Sequence, residues 1–188
     1  ASSTGIFPPG PIVIDGSFTI DVPYNIIGRS DIYFTENAYI NQASTANLNI
    51  VNSTLQGCGL WQGIRVSPLL IDGSVVKNMK GYGNYMQTGG TYNVKNSIFE
   101  ENNTSISIIS YGGANNLVNT TIEGNTFRKI NTLVADPLNK IGIEVHGGAS
   151  VTIGNLSDVN KGNTFRKLLY GIRIGDPSYA STPSSIVN

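Results

Sequence analysis

The residues best able to do chemistry in this chain recur at one position of a short motif. "GIRV" (Gly63–Val66), "GIEV" (Gly142–Val145) and "GIRI" (Gly171–Ile174) share one frame, and "SISI" (Ser105–Ile108) fills the same place in another unit. The variable position reads Arg65, Ser107, Glu144 and Arg173. In a strand, alternation with period two turns this position to the face opposite the aliphatic residues beside it. His146 follows Glu144 by two places and shares its face. A carboxylate, an imidazole and guanidinium groups on one strip can bind a sugar or a carboxylate, with Trp61 or tyrosines as stacking platforms. The competing reading is an exposed Glu144–Arg173 cross-strand ion pair, contributing under about 1 kcal/mol. On that reading Trp61 is a packing residue and His146 a turn residue before Gly147.

Stronger catalytic chemistry lacks its residues. Hydrolysis of a glycosidic bond usually needs two carboxylates about 5–10 Å apart. Acidic residues here stand singly, except Glu100 and Glu101 in "FEENN", which reads as a solvated turn. No Cys/His spacing suits a metal, so neither catalytic residues nor a metal or cofactor are expected. The lone Cys58, in "LQGCGLW", excludes an intrachain disulfide and reads as a buried, inert thiol. The 12 basic residues equal the 12 acidic ones, leaving no electrostatic footprint for nucleic acid. No apolar run approaches the ~20 residues of a membrane span, so no membrane insertion is expected.

The elements that position the strip are repeats. "GNTFRK" occurs at Gly124–Lys129 and again at Gly162–Lys167, 38 residues later. "NLNIVNSTLQG", "PLLIDGSVVKN", "TYNVKNSIFEE" and "NNLVNTTIEGN" share an apolar residue, then Asn or Gly two places on, then Ser or Thr, then another apolar residue. This aligns Asn52, Gly73, Asn96 and Asn119 at intervals of 21, 23 and 23 residues, with Asn155 and Asn188 further along. Ile50, Ile71, Val94, Leu117, Ile153 and Ile186 align two places earlier, and Leu55, Val76, Phe99 and Ile122 three places after the Asn column.

No stretch keeps helical spacing, and the 22 glycines mark frequent turns. Units of this length, all strand and turn, predict an all-β parallel solenoid with rungs of about 21–25 residues and loop insertions. "NTLVADPLNK" and "NLSDVNKG" read as such insertions. Aliphatics then stack inside, Asn holds a corner and bonds to the next Asn, and Asn96 and Asn119 face each other across parallel backbones. In "GNTFRK", Phe127 and Phe165 point inward and the basic pair points to solvent. The chain divides into residues 1–30, an N-terminal segment with a capping rung, and residues 31–188, the repeats. "SSIVN" opens another rung, so the solenoid is expected to continue past the chain end or to be capped by another chain.

The pattern "I-x-N-[ST]-x-[IF]", with "GNTF" and "YGI", resembles right-handed parallel β-helix repeat proteins. "SDIYFTENAYI" (Ser30–Ile40) and the element Cys58, Trp61, Gly63, Ile64, Val66 are similar to the opening rungs of secreted surface β-helix proteins of Bacteroidota. The resemblance covers roughly residues 12–188 and implies an extracellular or cell-surface location and export by type IX secretion. It implies a non-catalytic structural, adhesive or carbohydrate-contacting module, with a polysaccharide or cell-surface glycan, secretion machinery or further rungs as partners. The alternative is the N-terminal part of a polysaccharide lyase or hydrolase whose groove lies in downstream rungs. Against it, the polygalacturonase-like Asn-x-Asp and Asp-Asp elements are missing and only a His-Gly element is present, at His146. A trimeric spike of the phage tailspike type is a third reading. Candidate glycan contacts are Trp61, Arg65, Glu144, His146 and Arg173, with tyrosines between Tyr82 and Tyr111 adding apolar and hydrogen-bonding surface.

Overall fold

The computed structural model describes residues 5–43, 46–80, 83–87, 89–109, 118–130, 140–147, 149–155, 157–175 and 185–187. The described chain is all-β, with one short 3₁₀ turn at Val159–Lys161. Every strand pairing in it is parallel and joins strands from successive passes of the chain. The first face is a six-stranded sheet of Gly5–Ile6, Tyr24–Ile27, Leu48–Val51, Leu69–Asp72, Thr91–Lys95 and Asn119–Glu123. The second face is a seven-stranded sheet running from Ile12–Ile14 to Thr164–Arg166. The third face is divided. Ser17–Ile20, Tyr39–Gln42 and Gly63–Arg65 form one sheet, and Asn84–Gln87, Thr104–Ile109, Ile141–His146 and Tyr170–Ile174 another. Ser150–Thr152 pairs separately with Ser185–Val187. The arrangement is compatible with a parallel β-solenoid.

Register explains why these residues share columns. Ile26, Ile50, Ile71, Val94 and Ile122 lie opposite one another in turn along the first face, all buried. On the second face Leu55, Val76, Phe99, Phe127 and Phe165 lie opposite one another in turn, buried except for Phe165, which is partly buried. The three phenylalanines stack with centroids 5.0 and 5.1 Å apart, so the two "GNTFRK" copies do occupy one place in successive coils. Arg128 is not simply solvated, because it bonds Glu100 at 2.7 and 2.9 Å.

One part of the expected register is wrong. Val94 lies opposite Ile122 rather than Leu117, and Asn119 lies opposite Thr91. Asn96, one residue past Thr91–Lys95, and Asn119, the first residue of Asn119–Glu123, are therefore not neighbours, although the two strands are parallel. The left-handed corner passes through Asn52 (φ 49°), Gly73 (58°), Asn96 (49°) and Gly124 (68°). Non-glycine residues seldom take such angles, and Asn tolerates them best. The Gly124 N–H donates to the Lys161 carbonyl at 2.8 Å, which sets Gly162 rather than Asn155 against Gly124, while Asn188 lies outside the described residues. Asn52 and Asn96 are thus separated by Gly73, and the expected Asn-to-Asn bonds do not form in this column. The Asn96 amide donates instead to Asp72 at 3.0 Å.

The continuous ladder lies one residue later and is buried. The backbone N–H groups of Arg29, Ser53, Ser74, Ser97 and Asn125 donate to side-chain oxygens of Ser53, Ser74, Ser97, Asn125 and Asn163, at 3.0–3.1 Å. Those steps span 24, 21, 23, 28 and 38 residues, so the last two coils exceed the expected 21–25.

Candidate functional site

The outward positions of the third face carry most of the candidate side chains. Asn41 lies opposite Arg65 in the first of its two sheets. In the second, Tyr85, Ser107, Glu144 and Arg173 stand in register. Ser107, Glu144 and Arg173 therefore share the expected column, headed by Tyr85, whereas Arg65 belongs to the other sheet. Tyr85 comes from "GNYM", the local version of the "GI-x-V" frame. It escapes detection because Asn84 replaces the aliphatic residue that marks the motif elsewhere.

Burial divides this column into two environments. Both faces of Thr104–Ile109 and Ile141–His146 are buried. Glu144, 3% exposed, accepts from Arg173 through one oxygen and lies 2.9 Å from His146 Nε2 through the other. Arg173 also stands over the Tyr170 ring, 5.9 Å from its centroid. The expected exposed ion pair is thus a buried one on its carboxylate side. His146 is 1% exposed, closed off from any large substrate. Ser107 is fully buried, and its hydroxyl has no hydrogen-bond partner among the described residues.

At the other end of the column the face is open. A groove of about 240 Å³ is lined by Asn41, Gln42, Arg65, Val66, Ser67, Tyr85, Gln87 and Tyr92. It lies where the two sheets of the third face fail to join. The Gln42 amide is committed to the Ala46 and Ser67 carbonyls at 2.9 and 2.7 Å and to the Ser67 N–H at 2.8 Å, fixing one wall. The Tyr92 hydroxyl accepts from the Gln87 N–H at 3.0 Å. Burial raises the Tyr92 pKa, opposed by its bonds with Gln87 and Ser67, so the phenol is neutral and can donate. Arg65 is exposed, with its guanidinium 5.5 Å from the Tyr39 ring centroid.

Trp61 is no ligand platform. It is fully buried, stacks on Phe34 with centroids 4.0 Å apart and donates its indole N–H to the Lys77 carbonyl at 2.8 Å. The five candidate glycan contacts thus separate. Arg65 borders the groove, Arg173 is partly accessible, and Trp61, Glu144 and His146 are buried. Among the tyrosines singled out, Tyr85 and Tyr92 reach the groove, while Tyr82 and Tyr111 lie outside the described residues. Cys58 is exposed rather than buried, because Thr54–Trp61 departs from regular register before Trp61. Asn41 and Gln87 were not anticipated, and no sequence signal marks them.

Among the described residues no group of three His, Cys, Asp or Glu could hold a metal ion, and no helix is long and apolar enough to cross a membrane. No protein-family model matches the chain, and comparison with curated proteins and with solved structures gives no significant match.

Proposed function

We propose that this chain is a stretch of right-handed parallel β-helix from a secreted or cell-surface protein, acting as a non-catalytic structural, adhesive or carbohydrate-contacting module. The observation that carries the reading is the division of the third face. The acid–base pair Glu144 and His146 is buried and engaged, whereas the open part presents a guanidinium, amides and tyrosines on rigid parallel strands. Such a surface suits holding a polar polymer rather than cleaving it. The resemblance to Bacteroidota surface proteins extends the proposal to export as a type IX secretion cargo.

Further coils are proposed as partners at the far end. Ile172 and Ile174 stand opposite the buried Ile143 and Val145, yet are 38% and 48% exposed. Another coil packed there would bury them.

The test is a screen of the purified protein against immobilised neutral and acidic polysaccharides, with product analysis of each mixture. Retention without release of reducing ends or unsaturated sugars is expected. Cleavage of any of them would replace this reading with the lyase or hydrolase one.

A further inference from the structure

We infer that the groove between Arg65 and Tyr85 is a binding site for a carboxylate-bearing saccharide, of the uronic acid type. This rests on the carbohydrate-contacting reading above and adds to it a place and a ligand class.

The groove exists because the strands part. A Cβ added at Gly63 would stand 2.7 Å from the Gly83 carbonyl carbon, so the backbones touch there. Beyond that contact, Gly63–Arg65 and Asn84–Gln87 belong to different sheets. Asn41 and Arg65 then face Tyr85 and Gln87 across the opening, with Val66 and Tyr92, 2% and 1% exposed, among its lining.

Charge selects the ligand. Arg65 is the one charged lining residue, and among the described residues it forms no ion pair. Every other Arg whose side chain bonds are described, Arg29, Arg128 and Arg173, is paired with a carboxylate. The Tyr39 ring lies beside the Arg65 guanidinium, which limits its freedom before any ligand arrives. A planar fork of donors matches a carboxylate in bidentate fashion.

The surroundings favour a sugar as the carrier of that carboxylate. Asn41 and Gln87 offer amides that both donate and accept, as vicinal hydroxyls require. Tyr85 offers a ring for the C–H face of a pyranose and a hydroxyl at its rim. An acidic peptide would use the guanidinium but leave these amides without a matching pattern of hydroxyls.

The experiment is a calorimetric and NMR titration of the full chain with oligogalacturonate, its methyl ester, a sulfated neutral oligosaccharide and oligoglutamate. The expected result is binding of oligogalacturonate at least about tenfold tighter than each of the others, weakening as salt is added. Arg65→Gln is expected to remove that preference, and Tyr85→Ala to weaken saccharides with and without the charge. Both side chains reach the surface, so a matched urea midpoint checks that the variants fold. Equal binding of the ester, preference for the sulfated sugar or for oligoglutamate, or an Arg65→Gln variant that keeps its preference would overturn this inference and leave carbohydrate contact standing. Failure of every saccharide to bind would overturn both.

Discussion

The backbone N–H of Ser74 donates to the hydroxyl oxygen of Ser97, one coil further on, at 3.1 Å. Ser53 is joined to Ser74 in the same way, and an amide oxygen replaces the hydroxyl where Ser97 meets Asn125. The left-handed residue just before each of these positions breaks the regular strand ladder, so the following N–H is buried without a strand carbonyl to meet. Buried N–H groups must be paired, and a short side chain one coil along meets the need. Each hydroxyl also reaches a carbonyl, as Ser74 does with Asp72 at 2.9 Å. Ser74→Ala is therefore expected to cost about 1–3 kcal/mol by stranding the Ser53 N–H. Urea unfolding measures the loss, and faster hydrogen exchange at the Ser53 amide locates it. An unchanged midpoint would mean that the ladder contributes no stability.

That ladder also shows how far the sequence could be read. Strand content, parallel stacking and the Phe127–Phe165 alignment were legible because aliphatic and aromatic residues repeat at strand spacing. The fourth step was misread because "LVNTTI" meets the whole pattern at a nearly equal rung length, whereas "IEGNTF" carries Asn125 where the pattern has Ser or Thr. Demanding Ser or Thr after the corner excluded Asn125, whose amide oxygen does the same work as a serine hydroxyl. The site was half legible. Ser107, Glu144 and Arg173 share a motif position, so their column could be found. The burial of Glu144 and the opening beside Arg65 depend on where sheets separate, and no local pattern records that.

Asn84 breaks the aliphatic column of the third face. It lies opposite Ile106, is fully buried, and neither amide atom has a hydrogen-bond partner among the described residues. An unpaired buried amide costs about 1–3 kcal/mol on mutational scales. Asn84→Leu, similar in size and apolar, is expected to raise stability by about 1–2 kcal/mol. The readout is the urea midpoint at constant m-value. A lowered midpoint would show that the Asn84 amide is bonded in the native protein.

Glu144 holds the last strand of the third face through Arg173, with His146 on its other oxygen. Removing one partner of a fully buried pair costs about 3–5 kcal/mol. The Arg173 side chain is 30% exposed, so Glu144→Ala should fall below that range. Arg173→Met should cost less than Glu144→Ala, because it leaves the carboxylate beside His146. A double-mutant cycle is expected to show a favourable coupling energy between the two positions. Strict additivity would mean that the pair does not fasten the strand.

Arg29 stands at the start of the buried ladder, and its side chain turns back over the N-terminal coil. The guanidinium donates to the Asp31 carboxylate at 2.8 Å and to the Pro8 and Gly10 carbonyls at 2.9 and 2.8 Å. The Arg29 hydrogen bond holds the Asp31 pKa below the ordinary carboxylate value, against a smaller desolvation effect. A carboxyl whose folded pKa is depressed contributes stability above its unfolded pKa and loses it as pH falls through the folded value. Acidification below the ordinary carboxylate range should therefore loosen the segment from Phe7 to Gly10 as Asp31 takes up a proton. Arg29→Gln is expected to move the Asp31 titration up toward the ordinary value and to speed amide exchange in that segment at neutral pH. A carboxyl-carbon NMR titration follows the first effect directly. Should Asp31 titrate identically with and without the guanidinium, the bond at 2.8 Å would have no hold on the N-terminal coil.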